Sequence, residues 1–428
     1  MPLPRIRVKT VRKSLHPWIF EGMVNHPGRS IPPGTLVEIE DRDGHFAGRG
    51  IYNPKSRIAL RILTDDPNET LDADFFRRRI EEALRFRRET LKLDAVTDAY
   101  RVVHAEADGL SGLVIDRFGP VVVAQLHSAG YARIVEWITG ALRALLPECR
   151  PIVRTVARVE AQEGITMREC ETPLADIPEI IITSHGLKMR VDLKSGHKTG
   201  FFLDQRNNRQ RLASLAVGAE VLDLCCYTGG FALAAIKAGA KSAIGVDLDE
   251  EALPVARENA RLNGLSAEFV HANVFDYMRK CVADKRQFDV VVLDPSKLAQ
   301  VREEIPRAMA MYRDMNVLAM QVTRPGGILL TCSCSGLVGE PEFLAELNRA
   351  ATIVGCDLQV FHIAGAAPDH PFTASFPEGR YLKAVFARVK PSPAFALHPS
   401  LRTFQLRQRP EPEKEHLPQR RRGRRERK

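Results

Sequence analysis

From about Lys188 onward the chain alternates short apolar runs with amphipathic ones. Glu220 to Cys225, Ser242 to Val246, Glu268 to Val270, Val290 to Leu293 and Gly327 to Thr331 read as strands. Phe231 to Ala238 and Glu250 to Asn263 read as helices. Parallel strands need a crossover connection, which is usually helical, so this order predicts a doubly wound α/β sheet with parallel strands. Such sheets bind ligands beyond the carboxyl ends of their strands, at the point where strand order reverses. Residues that carry chemistry are therefore expected at those ends.

The rest of the chain is organised differently. Leu36 to Glu40 alternates, Asp43-Gly44 marks a turn, and Phe46 to Tyr52 and Arg57 to Leu63 follow as strands. This is the pattern of a compact β-barrel or sandwich. Asp72 to Leu93 has a helical period through Leu71, Phe75, Phe76, Ile80, Leu84 and Phe86. Val121 to Leu126, Val153 to Arg158 and Ile180 to Ile182 are further strands, and Arg133 to Leu146 is a further helix. The expected organisation is a multidomain α/β protein: a small N-terminal β module (1–70), a central α+β domain (71–182), the α/β sheet domain (183–390) and a tail (391–428).

At 428 residues the chain has room for two to four domains, and its 44% apolar and 27% charged composition is that of a globular protein. No apolar run approaches the ~20 residues needed to span a bilayer. The start, Met1-Pro2-Leu3-Pro4-Arg5, lacks a signal peptide's apolar core. A soluble cytoplasmic protein with no membrane partner is expected. Most of the net charge of +9 lies in Leu401–Lys428, where 11 Lys and Arg face four Asp and Glu. That run suits either a mobile arm on phosphates or a solubilising tail. Eight cysteines form no Cys-x-x-Cys pair and no zinc-ligand spacing, so no metal is expected.

Two stretches carry candidate chemistry. Val221-Leu222-Asp223-Leu224-Cys225-Cys226-Tyr227-Thr228-Gly229-Gly230-Phe231 joins a strand to a helix, and Asp247 ends the next strand. A carboxylate at the second strand end can accept from both ribose hydroxyls of a nucleoside cofactor. The Gly-x-Gly-x-x-Gly fingerprint that seats a pyrophosphate is absent, whereas S-adenosylmethionine carries no phosphate. Asp223 is placed to help receive its cationic methionine end. Asn273, after the third strand, is read equally as an adenine contact and as a turn residue.

The second stretch pairs Asp294, in Leu293-Asp294-Pro295-Ser296-Lys297, with Thr331-Cys332-Ser333-Cys334-Ser335-Gly336. A thiol near a methyl donor suggests covalent catalysis on a pyrimidine. Addition of a thiolate at carbon 6 of cytosine makes carbon 5 nucleophilic, splitting one hard step into easier ones. Cys334, flanked by small polar residues, is favoured as nucleophile over Cys332, which sits closer to the strand. Asp294 would hold the base. Lys297 stands where enzymes that methylate exocyclic amines often carry an aromatic residue.

The chain resembles the bacterial family of large-subunit ribosomal RNA cytosine-C5 methyltransferases from roughly Arg5 to Val389. The carriers are His16-Pro17-Trp18, Asp108-Gly109-Leu110, Ile115-Asp116-Arg117-Phe118-Gly119, Gly196 to Arg206, Tyr227-Thr228-Gly229-Gly230-Phe231, Ser333-Cys334-Ser335-Gly336, Asp369-His370-Pro371 and Pro377-Glu378-Gly379. The resemblance implies an N-terminal PUA RNA-binding module, a central β-β-α-β-β type domain and a C-terminal Rossmann-like methyltransferase domain. It also implies Cys334 as nucleophile, Phe202, Asp204 and Gln205 beside the cofactor, and large-subunit ribosomal RNA as partner. It leaves a homodimer open. The chain departs from the family pattern at Ser296, where a proline is common, at Asn273, where an aspartate is usual, and in its Arg-rich tail. Two other readings compete: methylation of another base atom with both thiols structural, and a non-catalytic RNA-binding assembly factor.

Overall fold

The structure is a computed structural model describing residues 2–12, 14–25, 31–155, 157–164, 166, 171–173, 179–193 and 201–392. Cys170, Gly196 to Gly200 and the basic tail lie outside these residues.

The first sheet holds β1 (Arg5–Val8), β2 (Trp18–Phe20), β3 (Val24–Asn25), β4 (Thr35–Glu40), β5 (Phe46–Tyr52) and β6 (Ile58–Thr64), in the order β2-β6-β5-β4-β1-β3. Its alternating residues Ile6, Val8, Val37, Ile39, Leu60 and Ile62 close one small core. The central sheet has the order β10-β9-β8-β7, from β7 (Ala99–His104), β8 (Leu113–Phe118), β9 (Val121–Leu126) and β10 (Arg150–Thr155). Around it lie α1 (Ala73–Arg85), α2 (Ala129–Arg133), α3 (Val135–Leu145) and α4 (Ala157–Glu163). The strand expected at Val153 to Arg158 is therefore shifted toward the N-terminus, and α4 takes its last two residues.

The helix expected over Asp72 to Leu93 begins as read, with Asp72 capping it by accepting from the Phe75 amide at 2.9 Å. It then widens into a π-turn over Phe86–Thr90. Arg87, seven residues after Ile80 and four after Ala83, falls on the buried face of the helix, and its side chain is fully buried, whereas Phe86 is only partly so.

A hairpin of β11 (Ile180–Ser184) and β12 (Leu187–Val191) leads into the last domain. The expected boundary at 182/183 falls inside β11. Ile180, Ile182, Leu187 and Met189 share one core with Val121 and Val123 of the central sheet and Phe231 and Val290 of the last.

The last sheet runs β15-β14-β13-β16-β17-β19-β18. Its strands are β13 (Glu220–Leu224), β14 (Ser242–Asp247), β15 (Glu268–His271), β16 (Phe288–Leu293), β17 (Thr323–Ser333), β18 (Cys356–Ala364) and β19 (Lys383–Pro391). Five are parallel, as expected, but β19 is antiparallel to β17 and β18 to β19. This closing antiparallel pair adds to the strands expected from the sequence. Helices α5 (Arg206–Leu215), α6 (Gly230–Lys237), α7 (Ala252–Leu262), α8 (Val274–Ala283), α9 (Ile305–Val322) and α10 (Glu340–Val354) cover the faces. Strand order reverses between β13 and β16, which places the ligand crevice beyond Leu224 and Leu293. Among the described residues no helix is long and apolar enough to cross a membrane.

Charged groups lock the domains together. Arg206 donates to both oxygens of Asp369, at 3.0 and 2.6 Å, with both residues buried. Arg87 reaches the same point from the central domain, donating to the Asp369 carbonyl at 2.8 Å and bidentately to Asp108. Trp18 of the first sheet donates to Glu106 at 3.0 Å and stacks edge-on to Phe376, 4.7 Å away. Burial alone would raise the Asp369 carboxyl, but His370 and the Arg206 guanidinium hold it well below the usual carboxylate range. A depressed carboxyl adds stability that is fully present above the unfolded value of ~4 and is lost as pH falls toward its folded value. Asp369→Ala strands buried guanidinium groups and is expected to cost roughly 3–5 kcal/mol in urea unfolding at pH 7, with the deficit shrinking in acid.

Candidate functional site

The crevice is built from three strand ends. At the first, the loop after β13 turns sharply: Cys225, Tyr227 and Gly229 have φ of 62°, 50° and 81°. The first two carry side chains in a region such residues rarely occupy, a form of strain that clusters at ligand sites. Gly229 has a second constraint, since a β-carbon there would lie 2.8 Å from the Phe269 ring. The buried Thr228 is held through its carbonyl by Asn259 at 3.1 Å.

Asp223, inside β13, is fully buried. Its Oδ2 accepts from the Ala232 amide of α6 at 2.9 Å, while Oδ1 has no partner among the described residues. Burial pushes this carboxyl up to about 7, with the Asp294 and Asp247 charges adding to the rise and Ala232 and Arg209 opposing it. Asp247 closes β14, accepting from the Tyr227 amide at 2.8 Å and the Asp249 amide at 2.9 Å. Each of its oxygens keeps a lone pair for a further donor. Burial raises it as well. Asn273 caps α8 by accepting from Phe275 at 2.9 Å, so its oxygen does the turn work while the amide nitrogen is left to donate to a ligand.

The second strand end brings Asp294 beside Leu224, whose carbonyl accepts from the Asp294 amide at 3.3 Å. Gln205 donates to Asp294 at 3.0 Å and lies 3.6 Å from the Cys332 sulfur, while its own oxygen accepts from Asn208 at 2.6 Å. Gln205 is thus oriented from behind. Asp204 accepts from the Tyr381 hydroxyl at 2.6 Å, and Phe202 packs edge-on to Tyr227 at 5.2 Å.

The third strand end separates the two thiols. Cys332 is fully buried within β17, and burial pushes its thiol well above the usual range. Cys334, one residue past the strand, is half-buried, and its sulfur lies 3.8 Å from the carbonyl of Pro295, the residue after Asp294. Ser335 joins the two loops: its Oγ accepts from the Leu298 and Ala299 amides, both at 3.1 Å, and bonds the Tyr312 hydroxyl at 3.0 Å. The structure therefore gathers Asp223, Tyr227, Asp247, Asp294, Gln205 and Cys334 around one crevice.

Sequence reasoning missed Lys383 and Tyr381. Lys383 pairs in register with Ser333 and donates to the carbonyls of Ser335 at 2.7 Å and Tyr381 at 2.9 Å. Burial lowers its ammonium to about 8. A lysine leading an otherwise apolar run, Lys383-Ala384-Val385-Phe386, was the available signal.

The chain matches the family model of S-adenosylmethionine-dependent methyltransferases over residues 169–371 and that of PUA-like domains over residues 7–65. It is 43% identical over 394 residues to the ribosomal RNA large subunit methyltransferase I of Aeromonas hydrophila, covering 90% of this chain and 98% of that one. With the protein of that name from Cronobacter sakazakii, identity is 40%, covering 91% and 100% of the two chains. The chain belongs to the ribosomal RNA large subunit methyltransferase I family. Members of this family use S-adenosylmethionine, and the fold carries the PUA-like module and methyltransferase domain expected of one. A protein crystallised with SAH shares the fold at a TM-score of 0.74 and 18% identity, covering 91% of this chain and all of that one. A second structure, of a Streptococcus mutans protein, does so at 0.73 and 18% identity, covering 90% and 100%. The crevice suits the cofactor: it offers an unpartnered buried carboxylate oxygen at Asp223 and a loop whose glycine leaves no room for a side chain.

A carboxyl raised from ~4 to about 7 binds a proton that the unfolded chain has already lost, so without cofactor stability falls as pH rises through that window. Asp223→Asn is expected to flatten this slope in unfolding measured at steps between pH 5 and pH 8. Equal slopes in both proteins would contradict the environment described for Asp223.

Proposed function

We propose that this chain methylates carbon 5 of a cytosine in large-subunit ribosomal RNA, with Cys334 as nucleophile. The observation that carries this is the unequal treatment of two thiols two residues apart. Cys332 is sealed beneath Gln205, whereas Cys334 faces the Asp294-Pro295 turn at the open strand ends. A fully buried thiol held well above its usual range is inert at neutral pH.

The Cys334 thiolate adds to carbon 6 of the ring, and the electron pair of the carbon 5–carbon 6 double bond becomes available at carbon 5. S-adenosylmethionine, when bound, supplies the electrophilic methyl group that carbon 5 takes. Loss of the carbon 5 proton to a base then re-forms the double bond and expels the thiolate. Asp294, oriented by Gln205, holds the exocyclic amine of the cytosine. Asp223 receives the cofactor's ammonium and Asp247 its ribose hydroxyls. Phe202, Asp204, Gln205, Tyr227, Thr228, Gly229, Gly230, Asn273 and Asp294 line the remainder of the cofactor pocket. The target base must be unstacked for its ring face to be reached. The PUA-like module and the basic tail supply RNA affinity, which falls as salt rises.

Cys334→Ala is expected to lower methyl transfer to ribosomal RNA by roughly a thousandfold or more, as losing a covalent nucleophile does, and Cys332→Ala to keep most of it. RNA carrying 5-fluorocytosine should trap the wild-type protein as a denaturation-resistant adduct and leave the Cys334 variant free. Full methylation by Cys334→Ala, or a product methylated at another atom, would overturn the reading.

A further inference from the structure

Arg209, in α5, has a setting that the site described so far does not use. Its guanidinium lies over the Phe201 ring at 4.5 Å and toward the Phe231 ring at 5.7 Å. Two aromatic faces fix its plane. It also abuts the first residue of α6, since a β-carbon on Gly230 would stand 2.7 Å from Arg209 Nε. Glycine at 230 is therefore what makes room for the cation at this helix end. The Nε is buried and has no acceptor among the described residues. Burial lowers the group to about 10, opposed by Asp204, Asp294 and Asp223, so it stays charged at neutral pH.

Leaving a buried guanidinium donor unanswered costs free energy. Here the cation and the positive end of α6 converge on one point, the combination that holds an anion. A few residues away, the buried Asp223 Oδ1 is an acceptor without a donor. A buried guanidinium nitrogen lacking an acceptor and a buried carboxyl oxygen lacking a partner, at the two sides of one crevice, match a zwitterion. The methionine end of S-adenosylmethionine is one, and its carboxylate is the cofactor's sole anionic group.

We propose that Arg209, with the N-terminus of α6, binds the carboxylate of the cofactor's methionine end, leaving Asp223 to its ammonium. This rests on the cofactor and Asp223 assignments above. It makes Arg209 a specificity residue that separates intact cofactor from adenosine thioethers lacking the acid.

The test is calorimetry on the full chain with two ligands, S-adenosylhomocysteine and its decarboxylated analogue, the aminopropylthio-adenosine. Loss of a charge-assisted hydrogen bond predicts that Arg209→Met weakens S-adenosylhomocysteine by ~10- to 100-fold and changes the analogue by no more than about twofold. Arg209→Lys, which keeps the charge without the stacked plane, should fall between and serves as the variant of record if Arg209→Met does not fold. Equal weakening of both ligands would show that Arg209 only packs, and an unchanged affinity for S-adenosylhomocysteine would remove it from the pocket. Failure of the wild-type protein to bind either ligand would overturn the inference together with the cofactor assignment.

Discussion

The Arg206–Asp369 pair is the interaction on which the rest of the molecule depends. Two buried ions are costly to desolvate, and they hold together because each is fully answered. Arg206 fills both oxygens of Asp369, the Arg101 amide adds a third bond to that carboxylate, and Arg87 takes the Asp369 carbonyl. Arg87 and Arg101 belong to the central domain, Arg206 to the start of α5 and Asp369 to the loop before β19. One carboxylate thus joins three segments distant in sequence. The residue before Arg206 is Gln205, which donates to Asp294, so the ion pair that ties the domains also fixes the segment that reaches the strand ends.

What was legible in the sequence follows the range of the interactions involved. The strand-turn-helix at Asp223 to Phe231 and the acid at Asp247 rest on local periodicity and turn chemistry, and both lie where the pattern puts them. The β5 and β9 strands, Phe46–Tyr52 and Val121–Leu126, coincide with their expected bounds because turn residues fence them, Asp43-Gly44 and Asn53-Pro54 around the first and Gly119-Pro120 before the second. The π-turn at Phe86–Thr90 was hidden, since a one-residue widening leaves helical composition unchanged. The closing antiparallel pair β18 and β19 was hidden for another reason: Val360 and Phe361 are exposed on an edge strand, so β18 lacks the alternation that marks a half-buried strand.

The candidate site shows the same division. The order of Cys332 and Cys334 on the strand was readable, and so was their different environment, from the small polar neighbours of Cys334. The partners of Gln205, Tyr381 and Lys383 were not, because each bond closes over tens to more than a hundred residues. Motifs quoted only for a family resemblance, such as Asp108-Gly109 and Asp369-His370, acquire a physical meaning once folded: they are two ends of the Arg87 clamp.

The loop after β13 has a wider consequence. A side-chain-bearing residue in the left-handed region costs about 1–2 kcal/mol, so Cys225 and Tyr227 together forgo a sizeable part of the 5–15 kcal/mol that keeps a typical domain folded. Glycine at both places would recover that energy. It would also delete the ring that meets Phe202 and loosen the amide that Asp247 grips. Thermostabilising this protein by relaxing its strained backbone would therefore trade heat tolerance against the shape of the crevice at the strand ends, and engineering gains are better sought in the exposed β18 edge.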